Sequence, residues 1–171
     1  MRGFIIRRDY SLMRRANNWV APRWMRAYVI ASTRAGDGWL WYAMGIGVLL
    51  FGGENRFRAL GAAGAGAVLS ILLFMAVKRF TGRRRPCEIE PHCWATLLPP
   101  DQFSFPSGHT MTAFAVAIPF SLFYPELTAG LLFCALSVAV SRILLGMHFL
   151  SDVVAGAILG TGLGYLAVLV F

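Results

Sequence analysis

Residues 141–171 read SRILLGMHFLSDVVAGAILGTGLGYLAVLVF, and this stretch decides the fold. From Val153 to Phe171 it carries no charged residue. That run is close to the roughly 20 apolar residues a helix needs to cross a bilayer core. Ahead of it stand Ser141, Arg142, His148 and Asp152, polar and ionisable groups at the edge of an apolar segment. Ionisable groups there are expensive and usually functional. His148 and Asp152 are four apart, so on a helix they share one face. A carboxylate so placed can fix the imidazole tautomer, the base-and-orienter logic of catalytic triads. A membrane-interface histidine beside a solvated loop is the plainer reading. Gly156, Gly160 and Gly164 continue the four-residue step. Bare backbone below the reactive groups lets a neighbouring helix press close.

The rest of the chain extends that reading. Its 171 residues suit one domain, and 57% hydrophobic residues with a mean hydropathy of +0.62 indicate a membrane bundle. Apolar runs at about 38–53, 59–77, 107–123, 127–145 and 153–171 predict an all-α polytopic transmembrane bundle of about five spans. Trp39, Trp41 and Tyr42 open the first as an aromatic belt does. Residues 1–36 are too charged to span, with Arg14, Arg15, Arg23 and Arg26 interleaved with Trp19, Trp24 and Tyr28. They fit an amphipathic interfacial helix bent at Pro22; a flexible basic tail is the alternative. The organisation expected is therefore an interfacial segment, 1–36, and a transmembrane core, 37–171, with an active-site loop at 78–105.

The formal charge of +8 points to anionic headgroups or phosphate substrates. No basic tract interleaved with aromatics resembles a nucleic-acid surface, so no nucleic-acid partner is expected. A cleavable signal peptide is not expected either, because Arg7 and Arg8 follow a very short apolar run. Cys134 lies in an apolar segment and reads as packing. Cys87 and Cys93 flank a short polar loop and could pair in an oxidising compartment. A zinc site from Cys87, His92 and Cys93 has poor spacing and lacks a fourth ligand.

Five spans bring the end of the second, the start of the third, the end of the fourth and the start of the fifth to one side. Each carries a polar cluster. Lys78 to Pro86 is either a basic anchor below a helix or a phosphate grip. Phe105 to Thr110 suits a helix start with Ser107 as N-cap, its free backbone N–H groups facing any bound anion. Gly108 lets a ligand approach the backbone, and His109 is placed to give a proton to a departing oxygen. With the opening stretch, this supplies cations, a helix N-terminus, two histidines and a carboxylate. Phosphoryl transfer needs that inventory, and no carboxylate cluster demands a metal.

The chain resembles the type 2 phosphatidic acid phosphatase superfamily of integral membrane lipid phosphatases, which share a helical core with vanadium haloperoxidases. The resemblance rests on Lys78 with Arg85-Pro86, on Pro106-Ser107-Gly108-His109, and on Ser141-Arg142 with His148 and Asp152. These motifs span roughly residues 78–155, in the family's order, and no motif position departs. Short bacterial undecaprenyl pyrophosphate, phosphatidylglycerophosphate and lipid A phosphatases share the layout. The resemblance implies that His148 attacks phosphorus and becomes a phosphohistidine, that Asp152 orients it, and that His109 protonates the leaving group. It implies that Lys78, Arg85, Ser107, Gly108 and Arg142 hold the phosphate oxygens, with no metal and no cofactor. Arg79, Arg83 and Arg84 exceed the motif and are candidates for a second phosphate. A non-enzymatic lipid-binding or lipid-moving protein on the same fold is the alternative, whose sign would be a lost motif residue.

The partners expected are a lipid phosphate and the membrane lipids, in a bacterial inner membrane. Fourteen of the sixteen Lys and Arg residues fall on the active-site side and only Arg56 and Arg58 opposite, so charge counting places the site in the cytoplasm. The resemblance, and any Cys87–Cys93 disulfide, favour the extracytoplasmic face, which is the expectation adopted. Neither the particular lipid nor the oligomeric state is written in the sequence.

Overall fold

The computed structural model describes residues 2–90 and 103–171. Its described residues form eight α-helices: α1 (Arg2–Asn17), α2 (Arg23–Ala35), α3 (Trp39–Phe51), α4 (Arg56–Thr81), α5 (Pro86–Ile89), α6 (Gly108–Phe123), α7 (Thr128–Leu144) and α8 (Leu150–Val170). Short 3₁₀ turns, Gly53–Asn55 and Pro125–Leu127, lead into α4 and α7.

Three segments, Gly53–Thr81, Pro125–Leu144 and Leu150–Val170, are long and apolar enough to cross a membrane, while α3 and α6 are shorter apolar helices. The chain is an integral membrane protein. Its packing runs opposite to that of a soluble domain. Many of the buried residues are small, Ala59, Ala62, Ala63, Ala113, Ala115, Ala117 and Ala135 among them, while Phe51, Phe133, Ile158, Leu166 and Leu169 point outward. Lipid tails solvate large apolar side chains, so small residues are left to let backbones meet.

That rule is visible along α6, the central helix. A methyl group on Gly156 would sit 2.7 Å from the Ser107 carbonyl oxygen. One on Gly160 would collide with the Met111 carbonyl, and one on Gly164 would lie 3.0 Å from Pro119 and Ile118. The glycine stripe of α8 therefore seats directly on the α6 backbone. Gly66 of α4 meets Ala115 of α6 in the same way, at 2.6 Å. Gly64 faces open space and Gly61 meets the Phe171 ring, so of the α4 glycines it is Gly66 that admits α6. α6 continues through Pro119 to Phe123.

The N-terminal segment breaks where Pro22 occupies the N-cap of α2. It is tied to the bundle at both helices. Asp9 of α1, buried, accepts hydrogen bonds from the Ser151 backbone N–H at 3.1 Å and from the Ser151 hydroxyl at 2.5 Å. On α2, the Tyr28 hydroxyl pairs with Ser137 Oγ of α7 at 2.6 Å, and Val29 packs with Leu145 and Met147. The corner from α2 to α3 turns at Gly36 and Gly38, the latter with φ 126°, a conformation glycine adopts readily. The proposed pairing of Cys87 with Cys93, and the zinc reading through His92, fall partly outside the described residues.

Candidate active site

α8 begins at Leu150, so His148 lies in the turn ahead of it and not on its face, contrary to the expectation of one helical face. Phe149 is the N-cap of α8, with Asp152 at the third helical position. Asp152 accepts the Phe149 backbone N–H at 2.8 Å, closing the helix start as an acidic residue there does. Its other oxygen accepts Arg83 Nη1 at 2.6 Å. The Asp152 carboxylate lies 3.8 Å from His148 Nδ1, beyond hydrogen-bond reach. Asp152 thus supports the ring electrostatically while being fully used elsewhere.

The direct partner of His148 is one the sequence does not announce. His148 Nδ1 lies 2.6 Å from the Ser104 carbonyl oxygen. A carbonyl only accepts, so Nδ1 carries the proton and Nε2 presents its lone pair. That lone pair faces Arg85 Nη1 at 3.2 Å. The loop ends are zipped to bring Ser104 there: Arg84 bridges Phe103, and the Ser104 N–H donates to the Arg83 carbonyl at 2.8 Å. The Ser104 hydroxyl donates to the Arg84 carbonyl at 3.2 Å. Backbone contacts of this kind leave no side-chain signature.

His148 is 2% exposed. Burial, then the nearby charges of Arg142, Arg85 and Lys78, hold its basicity well below the ordinary imidazole range. The ring therefore favours its neutral form beside a cluster of cations. Arg85, also buried, donates to the Met147 carbonyl at 2.8 Å. Arg142, in the last turn of α7, donates to Thr33 Oγ1 of α2 at 2.6 Å. Lys78, in the last turn of α4, stands over the Phe74 ring with its nitrogen 5.1 Å from the centroid. Gly82, with φ 55°, ends α4 in a left-handed cap and turns the chain toward Arg83 to Arg85.

At the head of α6, Ser107 takes the N-cap position but caps with no side-chain bond; its hydroxyl pairs with Thr110 Oγ1 at 2.9 Å. The Ser107 N–H donates to the Asp152 carbonyl at 3.1 Å, which joins the starts of α6 and α8. Gly108 faces Phe74, whose ring would lie 3.1 Å from an added methyl, so this glycine also serves packing against α4. His109 pairs through Nε2 with Asp37 Oδ1 at 2.7 Å. Arg142 and Lys78 act electrostatically on both His109 and His148, so these two cations are common to both rings.

Arg83 is held by several partners. It was a candidate for a second phosphate, yet its guanidinium is held by Asp152, by Ser151 Oγ at 2.7 Å and by Asp9 Oδ2 at 2.7 Å, and lies 4.2 Å over the Phe149 ring. Two carboxylates neutralise it, so it is a tie between α1 and α8. Arg79 and Arg84 are exposed. Among the described residues, no three His, Cys, Asp or Glu side chains converge as a metal site. Besides Ser104, the residues missed from sequence are Asp9, Thr33, Asp37 and Ser151. Asp9 had a signal, being the single acid among the first 36 residues.

The family model described as the PAP2 superfamily matches residues 59–171. The lipid A 1-phosphatase of Rhizobium johnstonii is 33% identical over 108 residues, 61% of this chain and 44% of that protein. The chain thus matches less than half the length of that relative. The decaprenylphosphoryl-5-phosphoribose phosphatase of Mycobacterium tuberculosis is 35% identical over 130 residues, 74% of this chain and 68% of that protein. Among solved structures, Aquifex aeolicus LpxE superposes with a TM-score of 0.79 at 27% identity, covering 95% of this chain and 94% of the other. The PAP2-type phosphatidylglycerolphosphate phosphatase of Bacillus subtilis gives 0.69 at 26% identity, covering 93% and 82%.

Proposed function

Because the chain belongs to the PAP2 superfamily, we propose that it is a membrane lipid phosphatase that transfers a phosphoryl group to His148 and then to water. The observation that carries this is the state of His148: buried, protonated on Nδ1 by its bond to Ser104, and with its Nε2 lone pair turned to the Arg85 guanidinium at 3.2 Å. In the proposed reaction Nε2 attacks phosphorus. Arg85, Lys78, Arg142 and the N–H groups at the start of α6 take the charge that builds on the non-bridging oxygens. His109 gives its proton to the leaving oxygen, and water then cleaves the phosphohistidine. Asp152 faces the imidazolium side of the ring at 3.8 Å and stabilises the charge it acquires.

The substrate proposed is a phosphate or pyrophosphate carried by a long apolar anchor, the class to which the named relatives' substrates belong. The expected location is a bacterial inner membrane with the site on the extracytoplasmic face. Impermeant thiol labelling of Cys87 and Cys93, with and without reductant, tests that orientation.

The decisive experiment measures phosphate release by purified protein in detergent from phosphatidate, phosphatidylglycerophosphate, polyprenyl pyrophosphate and lipid A. Wild type is expected to act on at least one, and His148→Ala to release none while keeping its helical content. Full activity in His148→Ala overturns the reading.

A further inference from the structure

We infer that Asp37, at the corner between α2 and α3, is the positioning residue that keeps His109 an acid; the inference rests on the phosphatase reading above. Asp37 lies outside residues 59–171, the stretch matched by the family model, and belongs to none of the three motifs. Its Oδ1 nevertheless sits 2.7 Å from His109 Nε2.

The corner that carries it is built to stay in place. A methyl on Gly36 would lie 2.8 Å from Val138 Cγ1, so the chain before Asp37 is pressed against α7. The Asp37 N–H donates to the Arg34 carbonyl at 3.0 Å, and Gly38 supplies the positive φ that redirects the chain into α3. One turn earlier on α2, Thr33 holds Arg142. The end of α2 thus delivers one partner to a phosphate-binding cation and the following corner delivers one to His109. Asp37, Phe74, Gly108, His109 and Thr112 line a common cavity of about 420 Å³.

The two histidines then differ by their partners. His148 has a neutral carbonyl on one nitrogen and a guanidinium on the other, which suits a nucleophile. His109 has a carboxylate within hydrogen-bond distance, whereas Asp152 stands 3.8 Å from His148. Burial, Arg142 and Lys78 oppose a proton on His109 and Asp37 favours it; a phosphate dianion bound beside the two cations would offset their charge and leave the Asp37 carboxylate to hold the proton. Environments that push two titratable groups apart define which is acid and which is base. With Nε2–H donating to Asp37, Nδ1 is left for the substrate. As the P–O bond breaks, its electron pair stays on the leaving oxygen, and the Nδ1 proton moves to that oxygen. The neutral ring then takes a proton from the water that attacks phosphohistidine, which restores the imidazolium.

The pair is half-exposed on the Asp37 side, so removing it disturbs the fold little. Its effect should instead depend on the leaving group. An alkoxide leaving group needs the acid, and nitrophenolate does not. Asp37→Asn should lower kcat on whichever of the four lipids the wild type hydrolyses fastest by about 10²-fold, the usual worth of general acid catalysis, and change p-nitrophenyl phosphate hydrolysis by no more than about 2-fold. Asp37→Glu should recover part of the loss. In a His109→Ala background, Asp37→Asn should add nothing further, because the two act as a unit. Equal losses on both substrates, or no loss on the lipid, overturn the inference alone. A wild type inactive on p-nitrophenyl phosphate and on all four lipids above overturns the phosphatase reading and the inference with it.

Discussion

His148 Nδ1 is 2.6 Å from the carbonyl oxygen of Ser104, while the Asp152 carboxylate four residues on stands 3.8 Å away. The tautomer of the proposed nucleophile is therefore set by a backbone group of the loop, and Asp152 acts on the ring through space. Asp152→Asn should lower kcat by roughly 10- to 100-fold with little change in KM, the scale of an outer partner's loss. A carboxylate bonded directly to the ring would cost nearer 10⁴-fold on loss of its charge. Steady-state kinetics on the best lipid substrate separates the two.

The acid limb of the pH profile follows from the surroundings of His148. Burial and then Arg142, Arg85 and Lys78 depress its basicity, and the attacking ring must be neutral. The limb of kcat/KM that reports His148 should lie below the ordinary imidazole value of about 6.5. The sign for stability is the same. The unfolded chain takes up a proton near pH 6.5, which the folded ring resists, so folding stability falls as pH drops through and below about 6.5. An acid limb at or above that value would contradict the assignment.

Arg83→Ala should destabilise the protein by about 3 kcal/mol, because it strands Asp9 and Asp152 as buried, uncompensated carboxylates. Arg79→Ala and Arg84→Ala, at exposed positions, should change stability by no more than about 0.5 kcal/mol. Thermal unfolding in detergent, followed by helical signal, measures all three.

Gly156→Ala places a methyl 2.7 Å from the Ser107 carbonyl, at the junction of α6 and α8. Overpacking of this kind should cost about 1–3 kcal/mol. It should also reduce kcat, since Ser107 and Asp152 are joined across that junction. Gly162→Ala, on the same helix but with open space around it, should be neutral on both counts. Loss of activity in Gly162→Ala would sink this account.

The sequence by itself determined the bundle, because membrane insertion is governed by apolar length and by the charge of what lies between the apolar runs. It also brought the three polar clusters to one common side, since an even number of crossings, two, separates the second cluster from the third. The spacing of Gly156, Gly160 and Gly164 was enough to foresee the seat of α8 on a neighbour, because a missing side chain acts locally. The tertiary structure alone decided who holds whom. Ser104 reaches His148 through a backbone oxygen, which has no residue-type signature. Arg83 reads in sequence as one of several adjacent cations, and only the fold brings Asp9 from α1 and Asp152 from α8 to either side of it. Asp37 meets His109 across 72 residues of chain. Partnerships of that reach depend on how helices are placed against one another, and one-dimensional periodicity does not carry them.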